Sequence, residues 1–274
     1  MATDTTHEGV DSDQDADELR GALVDQIIVR HERLGLVLPG EVGAALRTVP
    51  RHLFAPGVPL EKAYADDSII TKRNERGNSL SSVSAPTIIA MMLGQLQVRA
   101  GHRVLEIGSG GYNAALLREL VGPDGSVTTI DIDQEVVDRA RACLVTAGYR
   151  DVRTLCGDGE FGAAEYGPFD RIIVTAGARD FPPAWVDQLA EGGWLVVPLR
   201  IKGLGRSWAL ERSDGHLVSG TPSRSGWGDC AAQRTPALRR RGAGRGLPVR
   251  GLSRAVRRVD RHLGPAERPL PRRV

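Results

Sequence analysis

Residues 104–115 read Val-Leu-Glu-Ile-Gly-Ser-Gly-Gly-Tyr-Asn-Ala-Ala, and residues 127–131 read Val-Thr-Thr-Ile-Asp. An apolar run thus leads into a glycine-dense turn, a helix follows, and a second apolar run ends in an acid. Glycine permits tight turns and a close approach of the backbone to a ligand. An acid about 20 residues after such a turn is placed to accept hydrogen bonds from ribose hydroxyls. The pattern predicts an α/β unit that binds a nucleoside.

The region around this unit alternates predicted strands and helices. Alternation with short links is typical of a mostly parallel, doubly wound sheet covered by helices on both faces. Ligands bind such sheets beyond the carboxyl ends of the strands, where Gly108, Asp131, Asp158 and Thr175 lie. The periodicity predicts strands near 103–107, 126–131, 152–156, 170–175 and 194–199, and helices near 112–121, 134–147 and 183–190.

Sequence patterns divide the chain into four regions. The first helix is predicted from Asp17 to about Leu36, a second from 42 to 49, and a third from Pro86, with loops rich in Pro and Gly up to Gly77. A turn at Asp214-Gly215 predicts an antiparallel hairpin that closes the sheet. The regions are a disordered acidic leader at 1–17, a helical N-terminal region at 18–100, the nucleoside-binding α/β domain at 101–219 and an irregular tail at 220–274.

Composition narrows the class of protein. A hydrophobic content of 41% with 26% charged residues is ordinary for a globular protein. We expect no membrane span, because no apolar run approaches 18 residues, and no secretory signal, because the N-terminus has no apolar core. Three widely spaced cysteines with no metal-ligand pattern fit a reduced, cytoplasmic protein without a metal.

The glycine turn itself favours a nucleoside without pyrophosphate. It reads Gly-Ser-Gly-Gly-Tyr-Asn from 108 to 113, so the third glycine of the dinucleotide fingerprint is missing. Tyr112 stands where a helix start would cradle a pyrophosphate. S-adenosylmethionine is the commonest nucleoside cofactor that lacks this group. A nicotinamide-dependent oxidoreductase is the alternative from another class.

From about Leu19 to Pro198 the chain resembles the protein-L-isoaspartate O-methyltransferases. The motifs that carry the resemblance occur in the family's order. They read Val-Pro-Arg-His-Leu-Phe-Ala-Pro at 49–56, Ala-Tyr-Ala-Asp at 63–66, Ser-Val-Ser-Ala-Pro at 82–86, Val-Leu-Glu-Ile-Gly at 104–108, Gly-Asp-Gly at 157–159, Asp-Arg-Ile-Ile-Val-Thr-Ala at 170–176, Gln-Leu at 188–189 and Gly-Gly-Trp-Leu-Val-Val-Pro at 192–198.

The resemblance implies a class I, Rossmann-like methyltransferase that moves a methyl group from S-adenosylmethionine to a carboxylate of a protein or peptide. The expected partner is a substrate carrying aspartate or isoaspartate, and we expect a monomer. The implied cofactor-binding residues follow the strand ends: Glu106, Gly108 and Gly110 at the methionine, Asp131 at the ribose, Asp158 and Gly159 at the adenine, with Ser109 and Thr175 as further candidates.

Ser84 matches the family's active-site serine in its Thr-Ile-Ser-x-Pro motif, and Ser82 is a second catalytic candidate. A carboxylate with a pKa near 4 is already an anion at neutral pH and needs no general base. Alignment is then the main requirement, and Ser84 would orient the carboxylate oxygen by a hydrogen bond. The alternative reads Ser84 as the N-cap of the helix that begins at Pro86. Asp158 is alternatively a turn residue.

Two departures from the family concern the site. The glycine turn is one residue shorter than the usual Gly-x-Gly-x-Gly-Tyr. The link at 68–81 is about six residues longer than in the repair enzymes, and we expect a loop that borders the peptide channel. Its Lys72, Arg73 and Arg76 would favour an acidic peptide, unless the loop is merely solvated. This version resembles actinobacterial FxLD-system members, which methylate an aspartate in lanthipeptide-type precursors.

The third departure is the C-terminal tail. Residues 221–274 contain 14 arginines, no lysine and three acids, and the strand pattern is lost from about Gly220. Such a composition favours a frameshift near codons 219–225, which would leave the sheet without its last strand. An inactive nucleoside-binding protein is therefore a further alternative. A basic tail for nucleic acid is disfavoured because the tail has almost no aromatic residues to stack on bases.

Overall fold

The computed structural model describes residues 7–108, 110–178, 180–201 and 204–219. Its helices are α1 (His7–Arg33), α2 (Gly40–Thr48), α3 (Leu60–Ala63), α4 (Pro86–Leu96), α5 (Tyr112–Val121), α6 (Gln134–Thr146) and α7 (Pro183–Gln188). Its strands are β1 (Ile69–Arg73), β2 (Ser79–Val83), β3 (Arg103–Ile107), β4 (Ser126–Asp131), β5 (Arg153–Cys156), β6 (Phe169–Val174), β7 (Leu189–Ile201), β8 (Leu204–Ser213) and β9 (His216–Ser219).

The main sheet has seven strands in the order β5-β4-β3-β6-β7-β8-β9. The first five are parallel, and β8 and β9 add antiparallel to the β7 edge. Side chains of β3 alternate between the two faces, as a strand requires. Val104 packs in the cluster formed with α1, α2, α4 and α5, whereas Leu105 and Ile107 pack with Trp185 of α7. The predicted doubly wound α/β fold with a helical N-terminal extension is confirmed.

Prediction was most accurate inside the parallel sheet. The predicted bounds of β3, β4 and α5 coincide with those observed, and the closing hairpin turns at Asp214-Gly215 as predicted. The strand β7 is longer than predicted and begins at Leu189, where the chain pairs with Phe169 directly after α7. Within the described residues no helix is both long and apolar enough to cross a membrane.

Two predictions for the N-terminal region were wrong. Helix α1 begins at His7 rather than Asp17, so residues 7–17 are helical. Ala16 is buried against the core, and the helix extends N-terminally from it to His7. The predicted loop at 68–81 is mostly the antiparallel hairpin β1–β2. Its turn is closed by Gly77, which has a φ of +79° and donates its N–H to the carbonyl of Asn74 at 2.9 Å. Residues 1–6 and the tail 220–274 lie outside the described residues.

Candidate active site

The glycine turn after β3 is clamped between the ends of two neighbouring strands. Gly108 has a φ of +99°, and its N–H donates to the carbonyl of Ile130 at 2.8 Å. A Cβ at this position would lie 2.8 Å from both the backbone N of Ala176 and Oγ1 of Thr175. Thr175 donates its hydroxyl to the carbonyl of Gly108 at 2.8 Å. Thr175 therefore holds the turn, and only glycine fits at 108.

Glu106 lies beneath this turn and not on an open surface. Its side chain is buried, with Oε1 accepting from Nδ2 of Asn113 at 2.8 Å and Oε2 accepting from Oγ1 of Thr129 at 2.7 Å. Burial raises the pKa of Glu106 to about 7, and the two hydrogen bonds oppose that rise. Glu106 thus ties β3 to β4 and to the first turn of α5. It would shape a methionine pocket through the backbone.

The second half of the glycine turn lies close to the serine candidates. A Cβ at Gly110 would lie 3.6 Å from the carbonyl oxygen of Ser82. Gly111 has a φ of +82°, and a Cβ there would lie 3.1 Å from the ring of Phe54. The glycine turn is therefore packed directly against the end of the β1–β2 hairpin. Ser109 lies outside the described residues.

The ends of β4 and β5 carry the acids expected at ribose and adenine. Asp131 is half-buried, and its Oδ1 accepts from the N–H of Asp133 at 3.0 Å. Asp158 is exposed and caps a 3₁₀ turn, accepting from the N–H of Glu160 at 2.9 Å. The alternative of a turn residue is thus confirmed for Asp158. Gly159 packs so closely that a Cβ would meet Ile107 at 2.5 Å.

Sequence reasoning missed two exposed apolar side chains at the same edge. Ile132 directly follows Asp131 and is 72% exposed, and Phe161 follows Gly159 and is 69% exposed. Apolar side chains at the mouth of a site favour the binding of a flat base. An apolar residue between two acids just after a strand, as in Asp131-Ile132-Asp133, is a signal that could have identified Ile132.

Ser84 follows β2 directly and is half-buried. The predicted alternative, that it caps α4, was wrong. Ala85 is the N-cap of α4, and its side chain forms no hydrogen bond with the helix. Asp66 takes that role from a distance, because its Oδ1 accepts from the N–H of Thr87 at 2.9 Å and its Oδ2 from the Thr87 hydroxyl at 2.6 Å. Among the described residues, nothing forms a hydrogen bond with the hydroxyl of Ser84 or Ser82. Both serines are half-buried.

Arg51 fixes the backbone of Ser84 and was not singled out from the sequence. Its guanidinium is fully buried and donates to the carbonyls of Ala63 at 2.8 Å, Asp67 at 2.9 Å and Ser84 at 3.0 Å. It also lies 5.5 Å from the ring centre of Tyr112, in reach of a cation–π interaction. Burial lowers the pKa of Arg51. An arginine within the apolar motif at 49–54 was the available signal.

The basic residues of the hairpin have different partners. Lys72 forms ion pairs with Asp133 and Glu135, both at 2.7 Å, and a preference of the hairpin for acidic peptides stays a prediction. Arg73 donates to the carbonyl of Gly77 at 2.8 Å, and Arg76 is exposed in the hairpin turn. In the described part of the chain, no cluster of three or more His, Cys, Asp or Glu side chains could hold a metal ion.

Known proteins similar to this chain agree on one family. Residues 22–222 match the model of the protein-L-isoaspartate(D-aspartate) O-methyltransferase family. The protein-L-isoaspartate O-methyltransferase of Methanopyrus kandleri is 38% identical over 209 residues, which cover 76% of this chain and 88% of that protein. Protein-L-isoaspartate O-methyltransferase 2 of Archaeoglobus fulgidus is 36% identical over 217 residues, covering 78% and 91%.

Two solved structures show the same fold. One, a protein-L-isoaspartate O-methyltransferase, has a TM-score of 0.63 and 29% identity, and the match spans 71% of this chain and 61% of that one. The other is a Plasmodium falciparum protein described as a putative protein-L-isoaspartate O-methyltransferase in complex with S-adenosyl-L-homocysteine. It has a TM-score of 0.62 and 18% identity, with 73% and 92% covered. With its motifs, its sheet and a family match over most of its length, this chain belongs to the protein-L-isoaspartate(D-aspartate) O-methyltransferase family.

Proposed function

We propose that the protein transfers a methyl group from S-adenosylmethionine to a side-chain or α-carboxylate of an isoaspartyl or aspartyl residue in a protein or peptide. The observation that carries this proposal is the contact between Gly110 of the glycine turn and the carbonyl of Ser82. That contact puts the backbone of Ser82, two residues before Ser84, against the glycine turn, which supports a site in which the two serines act near the nucleoside. Such a juxtaposition suits the transfer of a small group between a bound nucleoside and a polar substrate.

The residues at the sheet edge fit S-adenosylmethionine. The half-buried carboxylate of Asp131 is suited to accept from ribose hydroxyls, and Asp158 is an exposed acceptor one strand away. Ile132 and Phe161 offer apolar surface to the adenine. The closely packed Gly108 leaves backbone rather than side chain at the ligand. The turn lacks the third glycine of the dinucleotide fingerprint and has Tyr112 at the start of α5, which favours this cofactor over a dinucleotide.

Bound there, S-adenosylmethionine would supply an electrophilic methyl group. The protein's part is then to hold a carboxylate oxygen in line with that group. A carboxylate with a pKa near 4 is ionised at neutral pH, so no side chain has to remove a proton. Ser84 would donate a hydrogen bond to the carboxylate, and Ser82 would assist it. Arg51 fixes the backbone of Ser84, so the hydroxyl starts from a defined position.

A narrower substrate is favoured by the hairpin. The β1–β2 hairpin occupies the link that is longer here than in the repair enzymes, and it ends at the serine candidates. We propose as a second candidate that the protein methylates a defined aspartate of a lanthipeptide-type precursor, as in the FxLD-system relatives. In that role the ester would close to a succinimide, which can open to isoaspartate.

Methyl transfer to two matched peptides tests these proposals. With labelled S-adenosylmethionine, preference for the isoaspartyl peptide would support the repair-type activity, and labelling of the aspartyl peptide would support precursor modification. Calorimetry with S-adenosylhomocysteine and NAD is the control for the cofactor. Binding of NAD alone would overturn the proposal in favour of an oxidoreductase. Binding of S-adenosylhomocysteine without any methyl transfer, to these peptides or to precursors encoded near the gene, would favour an inactive nucleoside-binding protein.

The tail remains a separate proposal. The family match ends at residue 222, inside the interval 219–225 in which the sequence pattern favours a frameshift. Translation of the other reading frames downstream of codon 219 tests this. A continuous strand sequence like that of the relatives would support the frameshift, and its absence would contradict it.

We also propose a cytoplasmic monomer. Cys143 and Cys156 are free thiols, the first buried and the second exposed, which fits a reducing compartment. Sedimentation equilibrium with and without a reductant tests the oligomeric state, and a dimer under reducing conditions would contradict the proposal.

A further inference from the structure

The β1–β2 hairpin is fastened to α6 by side chains on both of its strands. Lys72 of β1 and Ser81 of β2 are paired across the hairpin. Nζ of Lys72 lies 2.9 and 2.7 Å from the two carboxylate oxygens of Asp133 and 2.7 Å from Oε2 of Glu135. On the other strand, Nη2 of Arg139 donates to Oγ of Ser81 at 3.4 Å. We call these contacts the hairpin latch.

The latch is anchored at a residue whose own position is fixed. Asp133 is the N-cap of α6, and its Oδ1 accepts from the N–H groups of Glu135 at 3.1 Å and Val136 at 3.4 Å. Its own N–H donates to Oδ1 of Asp131, the candidate for the ribose. Asp133 thus connects Asp131 at the end of β4, the start of α6 and the β1–β2 hairpin.

The serine candidates lie at the far end of the latched strand. Ser84 is three residues beyond Ser81, or roughly 10 Å along an extended chain at about 3.3 Å per residue. Val83 between them is buried in the core. A shift of β2 would therefore move Ser82 and Ser84 relative to Gly110. Arg51 holds only the carbonyl of Ser84, whereas the latch holds β2 at Ser81.

We propose that Lys72 is a positioning residue, which through the hairpin latch sets the place of Ser82 and Ser84 relative to the glycine turn. The proposal rests on the proposed methyl transfer and deepens it. Lys72 and Asp133 both stay charged at neutral pH. Asp133 and Glu135 raise the pKa of Lys72, and Lys72 lowers the pKa of Asp133. The side chains of Lys72 and Asp133 are 22% and 31% exposed, so this ion pair is partly shielded from solvent.

Three variants test the proposal on the full-length protein. Lys72→Met keeps the aliphatic stem but removes the charge, Lys72→Arg restores it, and Lys62→Met removes a charge from an exposed lysine away from the latch. For the peptide that the wild type methylates, we expect kcat to fall about tenfold in Lys72→Met, since small misplacements of reacting groups are costly. Affinity for S-adenosylhomocysteine should stay within about twofold. Lys72→Arg should recover most of kcat, and Lys62→Met should match the wild type.

Hydrogen exchange gives a readout that does not need activity. Amides of residues 69–83 should exchange about tenfold faster in Lys72→Met than in the wild type or Lys62→Met, since opening of the hairpin becomes easier. Unchanged exchange would overturn the latch, and so would a loss of cofactor affinity that parallels the loss of kcat. If the wild type methylates neither peptide, the proposed function fails, while the exchange experiment still decides whether Lys72 holds the hairpin.

Discussion

The two sides of the candidate site are held in place by different forces. The cofactor side, at the ends of β3, β4 and β6, rests on buried apolar strands and on backbone hydrogen bonds such as that from Gly108 to Ile130. The serine side, comprising the β1–β2 hairpin and Ser84, is held largely by charged side chains, notably Arg51, Asp66 and Lys72. Burial of apolar area stabilises by about 25 cal/mol per Å², whereas each hydrogen bond to a charged group contributes about 1.5–3 kcal/mol.

The two sides should therefore tolerate substitutions differently. Substitutions on the cofactor side should affect folding and binding together, because the turn is part of the sheet edge. Substitutions on the serine side should affect turnover while the sheet and the nucleoside site remain intact.

Gly108→Ala should be the most damaging change. Its positive φ costs about 1–3 kcal/mol for a residue with a Cβ, and the overlap with the Ala176 backbone adds about 1–3 kcal/mol. We expect a lower melting temperature and at least a hundredfold loss of affinity for S-adenosylhomocysteine, measured by calorimetry. Gly148→Ala is the matched control, since Gly148 has a φ of +90° with nothing within 4 Å of a Cβ. Equal effects of both changes would mean that the close packing at 108 is unimportant.

Glu106→Gln should change how stability depends on pH. The folded pKa of about 7 lies above the ordinary 4.5, so the favourable contribution of Glu106 is complete below pH 4.5 and is lost as the pH rises to about 7. Glutamine does not titrate. The unfolding free energy of the wild type minus that of the variant should therefore fall by about 3 kcal/mol between pH 4.5 and 8, as measured with urea. A difference that is constant with pH would contradict the raised pKa.

Sequence reasoning located the cofactor side because its signals are local. A strand, a glycine turn and an acid at the next strand end are each encoded within a few residues, and Gly108, Asp131 and Thr175 lie at the predicted sheet edge. Exposure is not encoded in that way, so Ile132 and Phe161 were missed.

The serine side was predicted less well because its contacts join distant segments. Asp66 caps a helix that begins 20 residues later, Arg51 reaches Ser84, and Lys72 reaches Asp133. No periodicity reports such pairs. The hairpin was mistaken for a loop for a different reason. Its polar strands, Ile69–Arg73 and Ser79–Val83, give little alternation of apolar and polar residues.

Ser84→Ala tests the serine side directly. A hydrogen bond to a charged group contributes about 1.5–3 kcal/mol, so kcat should fall about 10- to 150-fold. Affinity for S-adenosylhomocysteine and the melting temperature should remain near those of the wild type, because Ser84 caps no helix. Ser82→Ala is the companion variant and should cost less, since Ser82 only assists. If Ser84→Ala loses cofactor affinity instead, the hydroxyl supports the nucleoside site and the division between the two sides fails.

Arg76→Ala should have the smallest effect of these substitutions. Arg76 is exposed in the hairpin turn, while Lys72 and Arg73 are occupied by contacts within the protein. Any preference for acidic residues in the peptide would then depend mainly on Arg76. A single exposed charge contributes about 0–1 kcal/mol, so KM for an acidic peptide should rise at most about fivefold and kcat should not change. The rise should vanish at high salt, because exposed charges are screened.

Arg33→Ala, at the exposed end of α1, is the control. A change in kcat would mean that the hairpin turn also positions the serines, and the hairpin would then act as one rigid unit from its turn to Ser84.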